Sequence, residues 1–355
     1  MKIGLQKKAK MTAGLDIGTR CVKLVCLDQS NEAPRLISFG IEELQPDAIL
    51  AGEVRDREGV IRSVQTLVER SGYPLKEVVV SLSGSEVLSE VLAIGIEFEG
   101  KSDEVVRQET ERINPFDFDI GSVTLDYKTL EREPQSDQLR VLRIAAKNEV
   151  IYNKYIDVLS GSQLRPAILD VDFCALINVF SHSYDAKSFE TVALVNIGVE
   201  GTSAVFLGNG NFHLARELPI GIDAFIKEIQ REKKVKVEEA ERFLKDAMED
   251  GTDDKEMEEA IERVGQDLAK EFDIATSFFR SASIYESLDS IFISGGGAVV
   301  PGMTDVLSEY TRTPVKILNP LAAIKYDYSL FGEQSVEKVS PLLALAIGLA
   351  LRRVR

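Results

Sequence analysis

Apolar residues along the chain fall into short runs of strand length, and one run-turn-run pattern occurs twice. Residues 15–28 read LDIGTRCVKLVCLD and residues 195–208 read VNIGVEGTSAVFLG; they align without gaps, setting Asp16 on Asn196, Ile17 on Ile197 and Gly18 on Gly198. A buried apolar run that ends in a polar side chain and a glycine predicts a strand turning back beside its neighbour. The glycine turn leaves backbone N–H groups pointing outward, as an anion nest does. Most glycine turns only satisfy hairpin geometry. Two copies in register predict two hairpins facing each other across a cleft, with opposed nests that suit a polyphosphate.

Residues 35–41 predict a third strand. Val60, Ile61, Val64, Leu67 and Val68 repeat at helical spacing, and 78–82 predict a strand covered on both faces. Between 86 and 164 the character changes: a charged amphipathic helix with Val105, Val106 and Ile113, then NPFDF, then strands at 122–130 and 139–146 joined by the polar loop EREPQSDQ. This stretch reads as an inserted subdomain with its own small sheet. A strand at 166–171 and a helix at 173–182 return to the first domain. The second half repeats the plan: a hairpin at 193–217, a charged helical stretch at 221–286, a strand at 290–294, a glycine turn and a helix at 303–310. The acid-rich stretch 246–262, interrupted by Gly251, reads as a solvated loop between helices, and 341–351 as a closing helix.

With 355 residues, 44% hydrophobic and 28% charged, the chain has the length for two domains with separate cores. Its formal net charge of -16 excludes the positive footprint of a nucleic-acid binder and a generally cationic membrane surface. Cys21, Cys26 and Cys174 form no CxxC pair, and His182 and His213 are too few for a zinc site or a Ser/His/Asp arrangement; both histidines are read as surface or satisfied polar residues. No apolar run reaches the ~20 residues of a membrane helix. The start, MKIGLQKKAK, lacks the apolar stretch of a signal peptide, so a disordered N-terminus and a cytoplasmic location are expected.

Asp16 sits where the first strand meets its turn, and a carboxylate there can hold Mg²⁺ through water while Thr19, Arg20 and Cys21 offer N–H groups to phosphate. Lys23 shares a face with Cys21 and can reach a β- or γ-phosphate, although exposed strand lysines are common. On the second hairpin Asn196 brings no charge to a metal. Gly198, Glu200, Gly201 and Thr202 form the matching turn; the Thr202 hydroxyl can bond phosphate, while Glu200 repels it unless turned away or metal-linked. The third turn, ISGGGAVVPG, runs through Gly295, Gly296 and Gly297 towards a helix beginning near Pro301; adjacent glycines allow close approach to a ring or sugar, and the helix N-terminus favours anions.

These three turns in this order resemble the phosphate 1, phosphate 2 and adenosine motifs of the actin, Hsp70 and sugar-kinase ATPase superfamily. The segments QETERINPFDFDIGSVTLDYKTL, LRPAILDVDFCAL, ALVNIGVEGTSAVFL, ELPIGIDAFIKEIQREKKVKVEEAERFLK, SIFISGGGAVVPGM and LLALAIGLALR together resemble the PilM family of type IV pilus assembly. The resemblance implies an α/β actin-like ATPase fold, two duplicated ribonuclease H-like domains similar to those of FtsA, with ATP and Mg²⁺ between them. It implies a flexible 1–11, subdomain 1A at 12–85 and 165–189 with the helix 340–352, an inserted 1C at 86–164, 2A at 190–222 and 287–339, and 2B at 223–286. It further implies a cytoplasmic scaffold peripheral to the inner membrane, binding the N-terminal tail of PilN in a groove between 1A and 1C, with other pilus platform or motor proteins as further partners and membrane contact only through PilN.

Carried over by position, Asp16, Gly18, Thr19, Arg20, Cys21 and Lys23 match phosphate 1, Asn196, Gly198, Gly201 and Thr202 match phosphate 2, and Gly295, Gly296 and Gly297 match the adenosine turn. Gly221 and Asp223 fall where the family closes over the nucleotide, and Glu241 on the helix near the adenosine, with Leu244 where a lysine is expected and Lys245 after it. Asn196 replaces the aspartate usual in actin and Hsp70, so any ATPase activity is expected to be slow. Asp172 is the candidate for orienting an attacking water, and equally for the N-cap of the following helix. Two alternatives remain at this level. A small-molecule kinase of the superfamily would need Asp170 or Asp172 as base. An FtsA-like filament former would carry an amphipathic membrane helix beyond the end reached here at RRVR.

Overall fold

The computed structural model describes residues 11–83, 86–101, 103–113, 120–130 and 137–353. The NPFDF segment, most of EREPQSDQ and the first ten residues lie outside the described residues. Met11, expected in the flexible start, opens the first strand.

The first half contains β1 (Met11–Ile17), β2 (Cys21–Asp28), β3 (Arg35–Glu43), the small hairpin β4 (Ile49–Leu50) and β5 (Glu53–Val54), α1 (Arg57–Ser71) and β6 (Glu77–Leu82). The inserted stretch adds β7 (Val87–Gly95), α2 (Asp103–Ile113), β8 (Val123–Thr129) and β9 (Gln138–Lys147). A helical run follows, Asn148–Val150, Ile151–Ile156 and Asp157–Gly161, whose middle segment is a π-turn. β10 (Arg165–Val171) and α3 (Asp172–Ser183) precede β11 (Thr191–Ile197), β12 (Thr202–Gly208) and β13 (Asn211–Leu218). Then come α4 (Ile222–Lys233), α5 (Val237–Asp250), α6 (Lys255–Ala282), β14 (Ser290–Ser294), α7 (Met303–Thr311), β15 (Val315–Ile317) and α8 (Ala344–Ala350).

Two five-stranded sheets have the same plan. One runs β10-β6-β1-β2-β3 and the other β15-β14-β11-β12-β13; in each the hairpin and its third strand are antiparallel and the remaining pairs parallel. The gap-free alignment of the two hairpins holds at the level of register: Asp16 lies opposite Lys23, and Asn196 opposite Ser203. The inserted strands form a separate antiparallel sheet, β7-β9-β8, with a small core of Ile94, Val106, Leu139 and Val141.

Helices α3 and α8 lie between the two large sheets, and their side chains form one core with Val25, Leu27 and Val79 of the first sheet and Val192, Leu194 and Val205 of the second. Glycine makes this approach possible. A Cβ on Gly348 would lie 2.0 Å from the Ala175 carbonyl oxygen, and one on Gly14 2.1 Å from that of Ala346. The Thr12 hydroxyl donates to the Ala350 carbonyl, tying the end of α8 to β1.

The acid-rich stretch differs from the loop expected there. It is the end of α5, a short link with Gly251 at φ +82, and the start of α6, capped by Asp254 accepting from the Glu256 and Met257 amides. Ala247, Met257, Ala260, Ile261 and Val264 are buried at helical spacing, so the acids occupy the outer faces of two amphipathic helices. The closing helix is shorter than expected, a 3₁₀ turn at Ser340–Leu343 leading into α8.

His213 is buried, edge-on to Phe279 and Tyr285. Burial, with the nearby Arg140 charge, lowers its pKa to about 4. The unfolded chain therefore takes up this proton near pH 6.5 and the folded one only near 4, so stability is full above 6.5 and falls as pH drops through that window. Denaturant unfolding should show a loss of about 2 kcal/mol from His213 between pH 7 and pH 5; an equally steep profile in His213→Phe would contradict this. Gly348→Ala should cost about 1–3 kcal/mol, because the backbone oxygen it meets cannot move aside. The helix-propensity gain of roughly 1 kcal/mol is the opposing effect, and a raised Tm in that variant would count against the packing described.

Candidate functional site

A cleft of about 1870 Å³ opens between the two large sheets and continues under the inserted sheet. Its lining includes Asp16, Gly18, Thr19, Arg20, Cys21 and Lys23 from the first hairpin, Asn196, Gly198 and Gly201 from the second, Glu241, and Gly296 of the third turn. Asp172 lies in the same lining.

Each hairpin turn is closed by one backbone bond, Gly18 N–H to the Cys21 carbonyl at 3.1 Å and Gly198 N–H to the Gly201 carbonyl at 2.9 Å. The Ile222 and Asp223 amides at the start of α4 donate to the carbonyls of Gly198 and Val199. Gly221 permits this docking, since a Cβ there would lie 2.4 Å from the Val199 oxygen. Gly221 thus serves the shape of the turn from outside the cleft lining.

Opposed residues on neighbouring antiparallel strands have side chains on one face, and the register explains the polar pairs. Lys23 Nζ donates to Asp16 Oδ2 at 2.8 Å, with both side chains largely buried. Burial alone would lower the Lys23 ammonium; the Asp16 carboxylate and Cys21 outweigh it and raise it above its ordinary value. The Asp16 carboxylate is therefore already half committed to a cation of its own chain. In the second hairpin Ser203 lies opposite both Asn196 and Glu217, and its hydroxyl donates to Glu217 Oε1 at 2.7 Å.

Asp172 opens α3 but does not cap it: the N-cap position is Val171, with no side-chain cap. Its carboxylate accepts from the Ser81 hydroxyl. Burial, then the charge of Asp16, raises the Asp172 carboxyl well above its usual range, against the Ser81 bond that lowers it.

Several expected contacts take another form. Thr202 is fully buried and its hydroxyl donates to the Ile220 carbonyl at 2.6 Å, so no Thr202 hydroxyl faces the cleft. Gly295 and Gly297 pack against β11, where a Cβ would lie 2.5 Å from the Ile197 oxygen and 2.1 Å from Ile197 Cγ2 respectively; of the three glycines, Gly296 lines the cleft. The third turn continues into a 3₁₀ turn, Gly296–Val299, and α7 begins only at Met303, so no helix N-terminus follows directly on the glycines.

Arg20 spans from the first hairpin to the second half, reaching Glu241 Oε1 at 2.5 Å and Asp223 Oδ1 at 3.4 Å. Lys245 sits 3.8 Å from Glu43 across the same mouth, and Leu244 is buried. These pairs are partly or fully exposed, and each contributes on the order of 1 kcal/mol or less.

A second polar cluster escaped the sequence reading. Glu86 accepts from Lys154 at 2.7 Å, from the Tyr155 hydroxyl at 2.7 Å and from the Ser83 amide at 2.8 Å. Lys154 and Tyr155 come from the π-turn, an irregularity that periodicity does not disclose and that often marks function. Among the described residues, no group of three or more His, Cys, Asp or Glu side chains is placed to hold a metal ion, and no helix is long and apolar enough to cross a membrane.

Removing Lys23 alone would strand the buried Asp16 charge. Lys23→Met should destabilise by about 3–5 kcal/mol, and adding Asp16→Asn should recover most of the loss. Denaturant midpoints of both variants test the pair, and a Lys23→Met protein as stable as wild type would contradict it.

A family model described as type IV pilus assembly protein PilM matches residues 14–354. The cell division protein FtsA of Bacillus subtilis is 21% identical over 356 residues, covering 88% of this chain and 79% of that protein. A solved PilM-PilN type IV pilus biogenesis complex superposes with a TM-score of 0.81 at 25% identity, covering 97% of this chain and 98% of that one. The ethanolamine utilization protein EutJ from Carboxydothermus hydrogenoformans shares the fold, with a TM-score of 0.59 at 17% identity over 96% of this chain and 89% of that one. With its two equivalent sheets around one cleft, the chain has the actin-like ATPase fold and belongs to the type IV pilus assembly protein PilM family.

Proposed function

We propose that this chain is a cytoplasmic scaffold of the pilus assembly platform that holds Mg-ATP between its lobes and the N-terminal tail of PilN in the connected part of the same cleft. The observation that carries this is the continuity of the cleft, whose lining includes both hairpin turns and also Val87, Leu88, Val123 and Ala145 of the inserted sheet. The similar solved complex pairs PilM with PilN.

The residues fit a metal-bound triphosphate. The turns at Gly18 and Gly198 both face the cleft, Lys23 supplies a cation at its floor, and the half-committed Asp16 suits a metal held through water rather than directly. Magnesium, when bound, neutralises charge on the phosphates. Asp172, with its raised carboxyl and the Ser81 bond fixing its orientation, is the group we assign to ordering water beside the phosphates. With the neutral Asn196 opposite, hydrolysis should be slow.

In this reading 12–85, 165–189 and 340–352 form subdomain 1A, 86–164 form 1C, 190–222 and 287–339 form 2A, and 223–286 form 2B. Apolar side chains at Val87, Leu88 and Val123 with a cationic–anionic floor at Lys154 and Glu86 give the groove both apolar and polar anchors. Contact with the inner membrane then runs through PilN alone, leaving the acidic outer surface free for other platform or motor proteins.

Titration of the purified protein with a synthetic PilN N-terminal peptide and, separately, with a fluorescent ATP analogue in Mg²⁺ tests the proposal. Wild type should bind both, and Asp16→Ala should weaken the nucleotide by about tenfold or more, a change of roughly 1.4 kcal/mol, while keeping the peptide. Folded protein that binds no peptide in either nucleotide condition would remove the proposal.

A further inference from the structure

The small hairpin β4-β5 stands between the phosphate end of the cleft and the groove under the inserted sheet, and its tip touches both. Its two turn residues, Ala51 at φ +49 and Gly52 at φ +80, are both left-handed. Glycine adopts this conformation freely, whereas Ala51 brings a Cβ against its own following carbonyl. The Ala51 amide donates to Glu200 Oε1 at 3.1 Å, in the turn between β11 and β12. Gly52 lies against Glu86, so close that a Cβ would be 3.3 Å from Oε1. Glu86 is the acceptor that gathers Ser83, Lys154 and Tyr155 at the root of the inserted sheet.

The hairpin's base is fixed. The Ala48 carbonyl accepts from the Arg55 and Asp56 amides at 2.8 and 3.1 Å, and the Asp56 side chain caps α1. The free end of a hairpin anchored in this way is the part that responds to its neighbours.

We propose that this hairpin is a latch coupling nucleotide to partner: Glu200, swung aside onto the Ala51 amide, fixes the tip, and the tip fixes Glu86 and the groove beside it. The inference rests on the nucleotide and peptide sites proposed above. A polyphosphate at the second turn repels the Glu200 carboxylate and favours its place on Ala51. Without that anion the carboxylate is free to leave, and the tip loosens. Nucleotide therefore strengthens peptide binding, and by linkage the peptide strengthens nucleotide binding by the same factor.

The test uses the full chain, a PilN N-terminal peptide and a non-hydrolysable ATP analogue with Mg²⁺. In wild type the peptide should bind at least about fivefold tighter with the analogue present. Glu200→Ala should still bind both ligands but bring that ratio to within about twofold of one, and Ala51→Gly, which keeps the amide, should retain it. A wild-type ratio of one, or an undiminished ratio in Glu200→Ala, overturns the latch while leaving both sites standing. Wild type that binds neither ligand overturns the underlying sites, and the latch with them.

Discussion

The close approach of α8 to β1 and α3 is the constraint on which the rest of the molecule depends. Two sheets that each bury one face need a shared filling, and here it is a pair of helices thin enough to lie between them. Gly14 and Gly348 allow backbone to meet backbone where any side chain would intrude. With that spacing set, the core that joins the sheets holds the two hairpins facing one cleft. A displacement of α8 would not only loosen the core; it would also change the separation of the turns that carry Gly18 and Gly198.

Within that frame the two halves have diverged by charge rather than by shape. The first hairpin sets a carboxylate against an ammonium, Asp16 and Lys23; at the same register the second sets an amide against a hydroxyl, Asn196 and Ser203. The negative group of the second half stands one strand further out, at Glu217, where the protein packed round it raises the carboxyl against the Ser203 bond. At this register the cleft is thus charged asymmetrically, with the Asp16–Lys23 ion pair on one hairpin and the neutral Asn196 and Ser203 on the other. Under the proposed function, this asymmetry would favour holding a polyphosphate over cleaving it quickly.

Much of this was legible in the sequence, because strands declare themselves through continuous apolar runs and the duplicated hairpin fixes its own register. The two facing hairpins follow from those features; the actin-like fold and the family followed from the resemblance of the three glycine turns and of longer segments such as LLALAIGLALR to known sequences. What escaped had identifiable causes. The acids of 246–262 concealed an amphipathic face because its buried positions are few and widely spaced among them, Ala247, Met257, Ala260 and Ile261, two of them only alanine. The inward hydroxyl of Thr202 and the packing roles of Gly295 and Gly297 depend on which atoms lie across from them, which spacing does not specify. Glu86, Lys154 and Tyr155 come together only through a π-turn and a tertiary contact between distant segments.

The central claim is that both hairpin turns of one cleft grip the phosphates. Hydrogen–deuterium exchange on the intact protein, with and without Mg-ATP, tests it most directly. The account predicts added protection at the amides of Thr19 and Arg20 and, together with them, at that of Val199. Saturating nucleotide that protects only one turn, or neither, would contradict it.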